Sequence, residues 1–226
     1  MRFLCLSDIH GFAGALGAVL ATAERRGYDQ ILVAGDLCFP GPEPLLTWRR
    51  LTQLGAICVQ GTGDRAVAVL QPARLEARDD FERRRLRRLA AVRAELGEGI
   101  LSQLGRLPPI YRRSLGAAGR LTLVHGSPQD PLEPITHDCT DAALLAVLGD
   151  EPSDLVLCGG SHVPFDRIVC RPSDEKAGTL IRVINLGSVG DAPTGDCGRF
   201  AHATFVESTD DGIEVEQFTV PLGRAA

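Results

Sequence analysis

Five side chains in this sequence are of types that ligate a borderline metal ion: Asp8, His10, Asp36, His125 and His162. A sixth, Asp64, is a candidate acid. Asp8 and His10 stand in Asp8-Ile9-His10-Gly11, and Asp36 follows Gly35. Asp64 closes Gly61-Thr62-Gly63-Asp64, His125 opens His125-Gly126-Ser127, and His162 closes Gly159-Gly160-Ser161-His162. Mixed carboxylate and imidazole donors suit Mn, Fe, Co, Ni or Zn better than Ca or Mg. Such an ion turns water into a nucleophile and polarises an oxygen in the group being attacked. Taken singly, each motif has an ordinary explanation: an aspartate after a strand often closes a turn or caps a helix, and a lone histidine is commonly a satisfied structural residue. Order and placement argue for more. Three of the chain's five histidines fall in this set, and each follows an apolar run that reads as a strand.

The elements that must carry these residues are legible as alternating strand and helix patterns. Residues 3–6 form a short buried strand ending at Ser7-Asp8, and Leu16, Val19, Leu20 and Ala23 then recur at helical spacing to about Arg26. A strand at 31–34 stops at Gly35-Asp36; a helix near 43–54 and a strand at 56–60 follow. This is the rhythm of a sheet with helical crossovers. In such sheets ligands bind at the carboxyl ends of the strands. Residues 72–107 break the rhythm; Leu86, Leu89, Val92 and Leu96 predict an insert of one or two helices. Strands at 121–124 and 155–158 flank a helix at 140–148. The tail predicts strands at 165–170, 180–185, 200–207 and 213–220, with no long helix after Leu148.

Composition sets outer limits. A chain of 226 residues with 44% hydrophobic and 23% charged residues is expected to build a packed core. Its net charge of −5 gives no general attraction to nucleic acid or to an anionic membrane. The basic run Arg83 to Arg88 therefore reads as a solvated helix face with acidic partners rather than a nucleic-acid surface. There is no apolar run long enough for a membrane span, and the chain opens as a strand rather than a signal peptide. Seven cysteines without a Cys-x-x-Cys pair, three of them within strand-like runs, predict reduced thiols and a cytoplasmic location.

Together the motifs resemble the calcineurin-like metallophosphoesterases, nearly end to end. That family's order is Asp-x-His, Gly-Asp, Gly-Asn-His-Asp/Glu, Gly-His and Gly-His-x-His. Gly35-Asp36-Leu37 with Gly41-Pro42-Glu43-Pro44, His125-Gly126-Ser127-Pro128 with Asp130-Pro131-Leu132, and Asn185-Leu186-Gly187-Ser188-Val189-Gly190 are similar to its bacterial branch. That branch contains diadenosine tetraphosphatases and small Ser/Thr protein phosphatases.

The resemblance implies an α/β fold of four layers, two packed mixed β-sheets flanked by helices, as a single domain over 1–226 with a helical insert at about 72–107. It implies a metal-dependent phosphoesterase acting on a phosphate mono- or diester, with a phosphate-containing small molecule, a nucleotide or a phosphoprotein as substrate. By position, Asp8, His10, Asp36 and His162 hold a first divalent transition ion (Mn, Fe, Zn or Ni). A second ion is held by Asp36, His125, an Asn and a further His. Thr62 and Gly160 occupy those last two positions, and Gly63 occupies that of the family's proton-donating His. One tight ion is therefore expected, with the second weak or absent; a relative that binds without hydrolysing is the alternative. Asp64 serves either as a substitute acid or extra ligand, or as the cap of the following helix. Arg65 is expected at the surface, His137 and His202 in structural roles, and Asp191 and Asp196 at the pocket rim. Oligomeric state has no signal in the sequence.

Overall fold

Apolar side chains alternate between two faces along each strand, as a pleated backbone requires. The structure, a computed structural model, describes residues 1–172, 178–192, 199–209 and 212–223. In β1 (Arg2–Leu6), Phe3 and Cys5 point one way and Leu4 and Leu6 the other. In β2 (Gln30–Val33), Leu32 joins Phe3, while Ile31 and Val33 join Leu4. The strands β5 (Arg120–Val124), β6 (Leu155–Cys158) and β8 (Thr179–Asn185) send Leu121, Leu123, Leu155, Leu157 and Ile184 into the cluster of Phe3. Val124, Val156, Cys158, Ile181 and Val183 face the opposite way, into a separate cluster. The cluster around Phe3 is thus the seam between two sheets.

The first sheet runs β10-β9-β1-β2-β3, with β3 at Ile57–Cys58, β9 at Arg199–Thr209 and β10 at Gly212–Leu222. Strands β1, β2 and β3 are parallel, and β9 and β10 are antiparallel. The second sheet runs β4-β5-β6-β8-β7, with β4 at Ile110–Ser114 and β7 at Phe165–Arg171; β5, β6 and β8 are parallel within it. Helices α1 (Ala13–Glu24), α2 (Pro44–Gln53), α3 (Thr62–Val69) and α4 (Asp80–Gly105) cover the outer face of the first sheet through Leu16, Trp48, Leu51, Val67 and Leu89. Helix α5 (Asp141–Leu148) covers the second through Leu144 and Leu148. This is the expected four-layer α/β sandwich.

The stretch at 72–107 holds a short 3-10 turn (Pro72–Arg74) and α4, which breaks at Gly97 with φ 73°. The side chain of Asp79 caps α4 by accepting Glu82 N–H at 2.7 Å. The expected apolar face is real: Leu89, Val92 and Leu96 are buried in the core that contains Trp48 and Leu51. Two readings need correction. The strand expected at 56–60 contracts to two residues. Strand β4 was not foreseen, because Arg112 and Arg113 interrupt its apolar alternation on a sheet edge. The basic run is a solvated face as expected, with Arg83, Arg84, Arg85 and Arg87 exposed, and only Arg88 turns inward. Arg83 pairs with Asp80, but Arg88 donates to the backbone carbonyls of Pro40 and Gly41.

Candidate metal centre

Every candidate ligand lies just beyond the carboxyl end of a parallel strand: Asp8 after β1, Asp36 after β2, His125 after β5 and His162 after β6. Four of the candidates are also the only non-glycine residues with positive φ among the described residues: Asp8 at 53°, His10 at 55°, Asp36 at 53° and His162 at 61°. Asp and His tolerate this region better than most side chains, though at some energetic cost. The turns are stitched together across the sheets. Asp8 N–H donates to Gly35 O at 3.1 Å and His10 N–H to Asp36 O at 2.8 Å. The β6 loop contributes Gly160 N–H, which donates to Asp8 Oδ2 at 2.9 Å.

The three histidines are oriented alike. His10 Nδ1 lies 2.6 Å from Phe39 O, His125 Nδ1 2.8 Å from Ala34 O, and His162 Nδ1 3.1 Å from Asp191 O. A carbonyl oxygen only accepts, so each Nδ1 carries the proton and each Nε2 presents a lone pair. Those lone pairs converge on carboxylates. His10 and His162 bring their Nε2 atoms within 3.0 Å of each other, and both face Asp8 Oδ1, at 3.6 and 3.2 Å. Asp8 is fully buried; its Oδ2 accepts from Ser7 Oγ at 2.6 Å and from Gly160, whereas Oδ1 has no hydrogen-bond partner while the imidazoles are neutral and accepts from His162 only when that ring is protonated. A buried carboxylate oxygen facing two imidazole lone pairs fits a cation and fits little else.

Asp8, Asp36 and His125 form a second group whose ligand atoms could share an ion. His125 Nε2 lies 3.8 Å from Asp36 Oδ1, which also accepts Gly63 N–H at 2.6 Å. Each group has three ligand residues with Asp8 common to both, and Asp36 falls with His125 in the second group rather than with His10 and His162. Thr62 is exposed, with its hydroxyl 3.5 Å from Leu132 O. Gly160 lies beside His125: a Cβ built on it would stand 3.4 Å from His125 Nε2 and 3.0 Å from Pro134 Cβ. A side chain at 160 would therefore begin next to this second group, where the chain supplies none.

Electrostatics agree with a cation site. Burial alone would push the Asp8 carboxyl up, but its hydrogen bond with His162 and the neighbouring imidazoles hold it below the usual carboxylate range. Burial pushes His125 down; the charges of Asp36 and Asp8 outweigh that and raise it. The hydrogen bond to Asp8 raises His162. The site favours positive charge in either form, proton or metal.

Asp64 sits differently. It is fully buried at the third position of α3, accepting Gly61 N–H at 3.0 Å and Leu37 N–H at 2.9 Å. Burial and the charge of Asp36 push its carboxyl up to about 7. With both oxygens committed to backbone and none facing solvent, the expectation of an acid or extra ligand does not hold. Its carboxylate joins the start of α3 to the turn that carries Asp36. Arg65 and His137 are exposed, and His202 is buried with Ser188 N–H at 3.3 Å from its Nδ1. Asp191 lies at the rim through its contact with His162, while Asp196 lies outside the described residues.

Several supporting groups had no sequence signature of their own. The carbonyls of Ala34, Phe39 and Asp191 are backbone atoms. Ser188 Oγ donates to Asp8 O at 2.8 Å, and Asn185 Nδ2 donates to Gly159 O at 2.9 Å, holding the turn that precedes His162. The presence of Asn185 and Ser188 in a distinctive motif was the only available hint.

Known proteins share this architecture. A metallophosphoesterase from Sphaerobacter thermophilus superposes with a TM-score of 0.74 at 26% identity, covering 97% of this chain and 88% of its own. A hypothetical protein from Pyrococcus horikoshii OT3 superposes with a TM-score of 0.80 at 20% identity, covering 99% and 89%. Vps29 from Entamoeba histolytica (single mutant) shares the fold at a TM-score of 0.51 and 15% identity, covering 97% and 99%. No curated protein matches the sequence. The profile of the Calcineurin-like phosphoesterase superfamily domain matches residues 1–208, so the chain belongs to that superfamily, whose members are phosphoric ester hydrolases that use divalent metal ions.

Proposed function

We propose that this protein hydrolyses a phosphate mono- or diester with one tightly held transition ion, bound by Asp8, His10, Asp36 and His162, within a single domain spanning 1–226. The unpartnered Oδ1 of Asp8, facing two Nε2 lone pairs, carries the reading. When bound, such an ion lowers the pKa of water and neutralises charge on phosphoryl oxygens. The chain's own groups prepare that chemistry. Phe39 O and Asp191 O fix the tautomers of His10 and His162. Ser7 and Gly160 lock the Asp8 carboxylate, and Gly63 N–H orients that of Asp36.

A second ion, held by Asp36 and His125, binds weakly in this reading, because Thr62 and Gly160 add no strong donor. At Gly63 no side chain is available to protonate a leaving oxygen, an effect typically worth about 10²–10⁴ in rate. Substrates with good leaving groups, such as aryl esters and nucleoside polyphosphates, are therefore hydrolysed best, and simple alkyl phosphates poorly. A phosphoprotein is the less favoured substrate on this ground, since serine and threonine alkoxides leave badly.

Elemental analysis for bound metal, with turnover of nitrophenyl phosphate and its bis-ester in Mn, Ni, Zn and Fe, tests this. About one ion per chain and turnover lost in Asp36→Asn are expected. Turnover no greater than that of Asp36→Asn in every metal would leave the second reading, a metal-holding protein that binds phosphate without hydrolysis; the absence of donors at 62, 63 and 160 favours it.

A further inference from the structure

We propose that Arg88 of α4 is a positioning residue for His10, acting through the loop at 38–41; this rests on the metal-site reading above. The loop carries Phe39, whose carbonyl fixes the His10 tautomer at 2.6 Å. Two residues later Gly41 N–H donates to His10 O at 2.5 Å, so the loop grips both the side chain and the backbone of His10. Arg88 holds the loop from outside. Its Nε donates to Pro40 O at 2.7 Å, and its Nη2 donates to Gly41 O.

The planar guanidinium suits this task, because its fork meets two successive carbonyls at once, which an ammonium does not. One face of α4 makes related contacts with neighbouring segments. Arg93 donates to Val67 O and Ala68 O of α3, and Glu95 Oε1 accepts Leu45 N–H of α2 at 3.4 Å. Between them Leu89 and Val92 are buried, which anchors the helix against the first sheet. The insert therefore reaches the site through backbone it holds in place rather than through a ligand.

Nitrogen NMR of the His10 ring in metal-free protein at alkaline pH reads the tautomer directly. Chelator competition with Zn²⁺ alone reads ion affinity. Wild type is expected to hold His10 with the proton on Nδ1. Arg88→Met keeps the aliphatic stem but loses both donors; a mixture of tautomers and about tenfold weaker Zn²⁺ binding are expected, the low end of the range for groups that orient metal ligands. Arg88→Lys, reaching one carbonyl, falls between, and carries the comparison if Arg88→Met does not fold. Arg83→Ala, which removes only a pair with Asp80, matches wild type. An unchanged tautomer and unchanged affinity in the Arg88 variants overturn the proposal. A wild type that binds no ion overturns the metal reading instead, and the tautomer comparison still decides the role of Arg88.

Discussion

Replacing Asp8 by Asn should raise the stability of the ion-free protein while abolishing its response to metal. In the ion-free site, Asp8 Oδ1 is buried without a partner and faces His162 Nε2 at 3.2 Å and His10 Nε2 at 3.6 Å. Leaving a buried polar atom unsatisfied costs about 1–3 kcal/mol. An Asn amide fits the same volume and tolerates the positive φ of 53° found at this position. Its oxygen can take over the role of Oδ2, accepting from Ser7 and Gly160, while its NH₂ donates to the two imidazole lone pairs. For a chain of 226 residues, about 1 kcal/mol moves Tm by ~2–4 °C. Recovery of the full term is therefore a rise of about 2–12 °C.

The pH sets when this gain is visible. The hydrogen bond to Asp8 raises His162. A raised imidazole contributes stability that is fully present below the ordinary histidine range and is lost as pH rises through the raised value. Wild type is thus helped by a protonated His162 in acid, and the advantage of Asp8→Asn opens only at alkaline pH. Metal reverses the order: an ion at a hundred times its Kd stabilises wild type by about 2.7 kcal/mol, or ~5–11 °C, and leaves Asp8→Asn unmoved. Thermal melts in chelator and in excess Zn²⁺ make the comparison. If Asp8→Asn melts below wild type in chelator at alkaline pH, or still shifts with Zn²⁺, the reasoning is wrong.

Gly160→His should increase bound metal from about one ion per chain towards two by elemental analysis, at a cost in ion-free stability of about 1–2 kcal/mol for a left-handed side chain. A stoichiometry that stays at one would show that the second group lacks more than this ligand. Glu151 gives the acid limb of stability. Burial pushes it up, but hydrogen bonds from Arg112, Thr122 and Ser153 outweigh that and lower it. A lowered carboxyl contributes stability present above the ordinary glutamate range and lost as pH falls through its depressed value. Glu151→Gln should therefore cost about 1–3 kcal/mol at neutral pH in urea denaturation and flatten the acid dependence; an unchanged acid limb counts against this network. Across a series of aryl phosphates, rate should fall steeply as the leaving phenol becomes more basic, because Gly63 supplies no acid; a flat series would mean that another residue protonates the leaving group.

The convergence of the candidate residues was legible because their motifs follow apolar runs that read as strands, as Asp36 follows residues 31–34. Parallel strands then bring their carboxyl ends together without further instruction. Asp64 was only half legible. Its spacing from Gly61 marks a helix start, but the second donor, Leu37 N–H, arrives from a turn 27 residues away and has no local signature. The same holds for Phe39 O on His10 and Ala34 O on His125: a backbone carbonyl is present at every residue, so sequence does not reveal which one a ring will meet. Arg88 misled for a related reason. A basic run in an acidic chain has solvent as its simplest partner, and only the approach of α4 to the loop at 38–41 gives it another.

The backbone twist at the site extends past the residues that still carry ligands. Asp8, His10, Asp36 and His162 share φ values of 53–61°, and Gly160 has φ 75°. A non-glycine residue held there costs about 1–2 kcal/mol, so four of them in one place need the surrounding turns to over-determine them. The stitches from Gly35, Asp36 and Gly160 to Asp8 and His10 supply that constraint. The turn at 160 is part of the same constraint, because its N–H holds Asp8 Oδ2 while its Cα faces His125. Its shape is therefore required by the Asp8 carboxylate, whatever stands at 160. That is why the loop keeps this turn with no side chain at 160. It is also why a histidine placed there would begin beside His125, in a conformation that His10 and His162 already adopt in this protein.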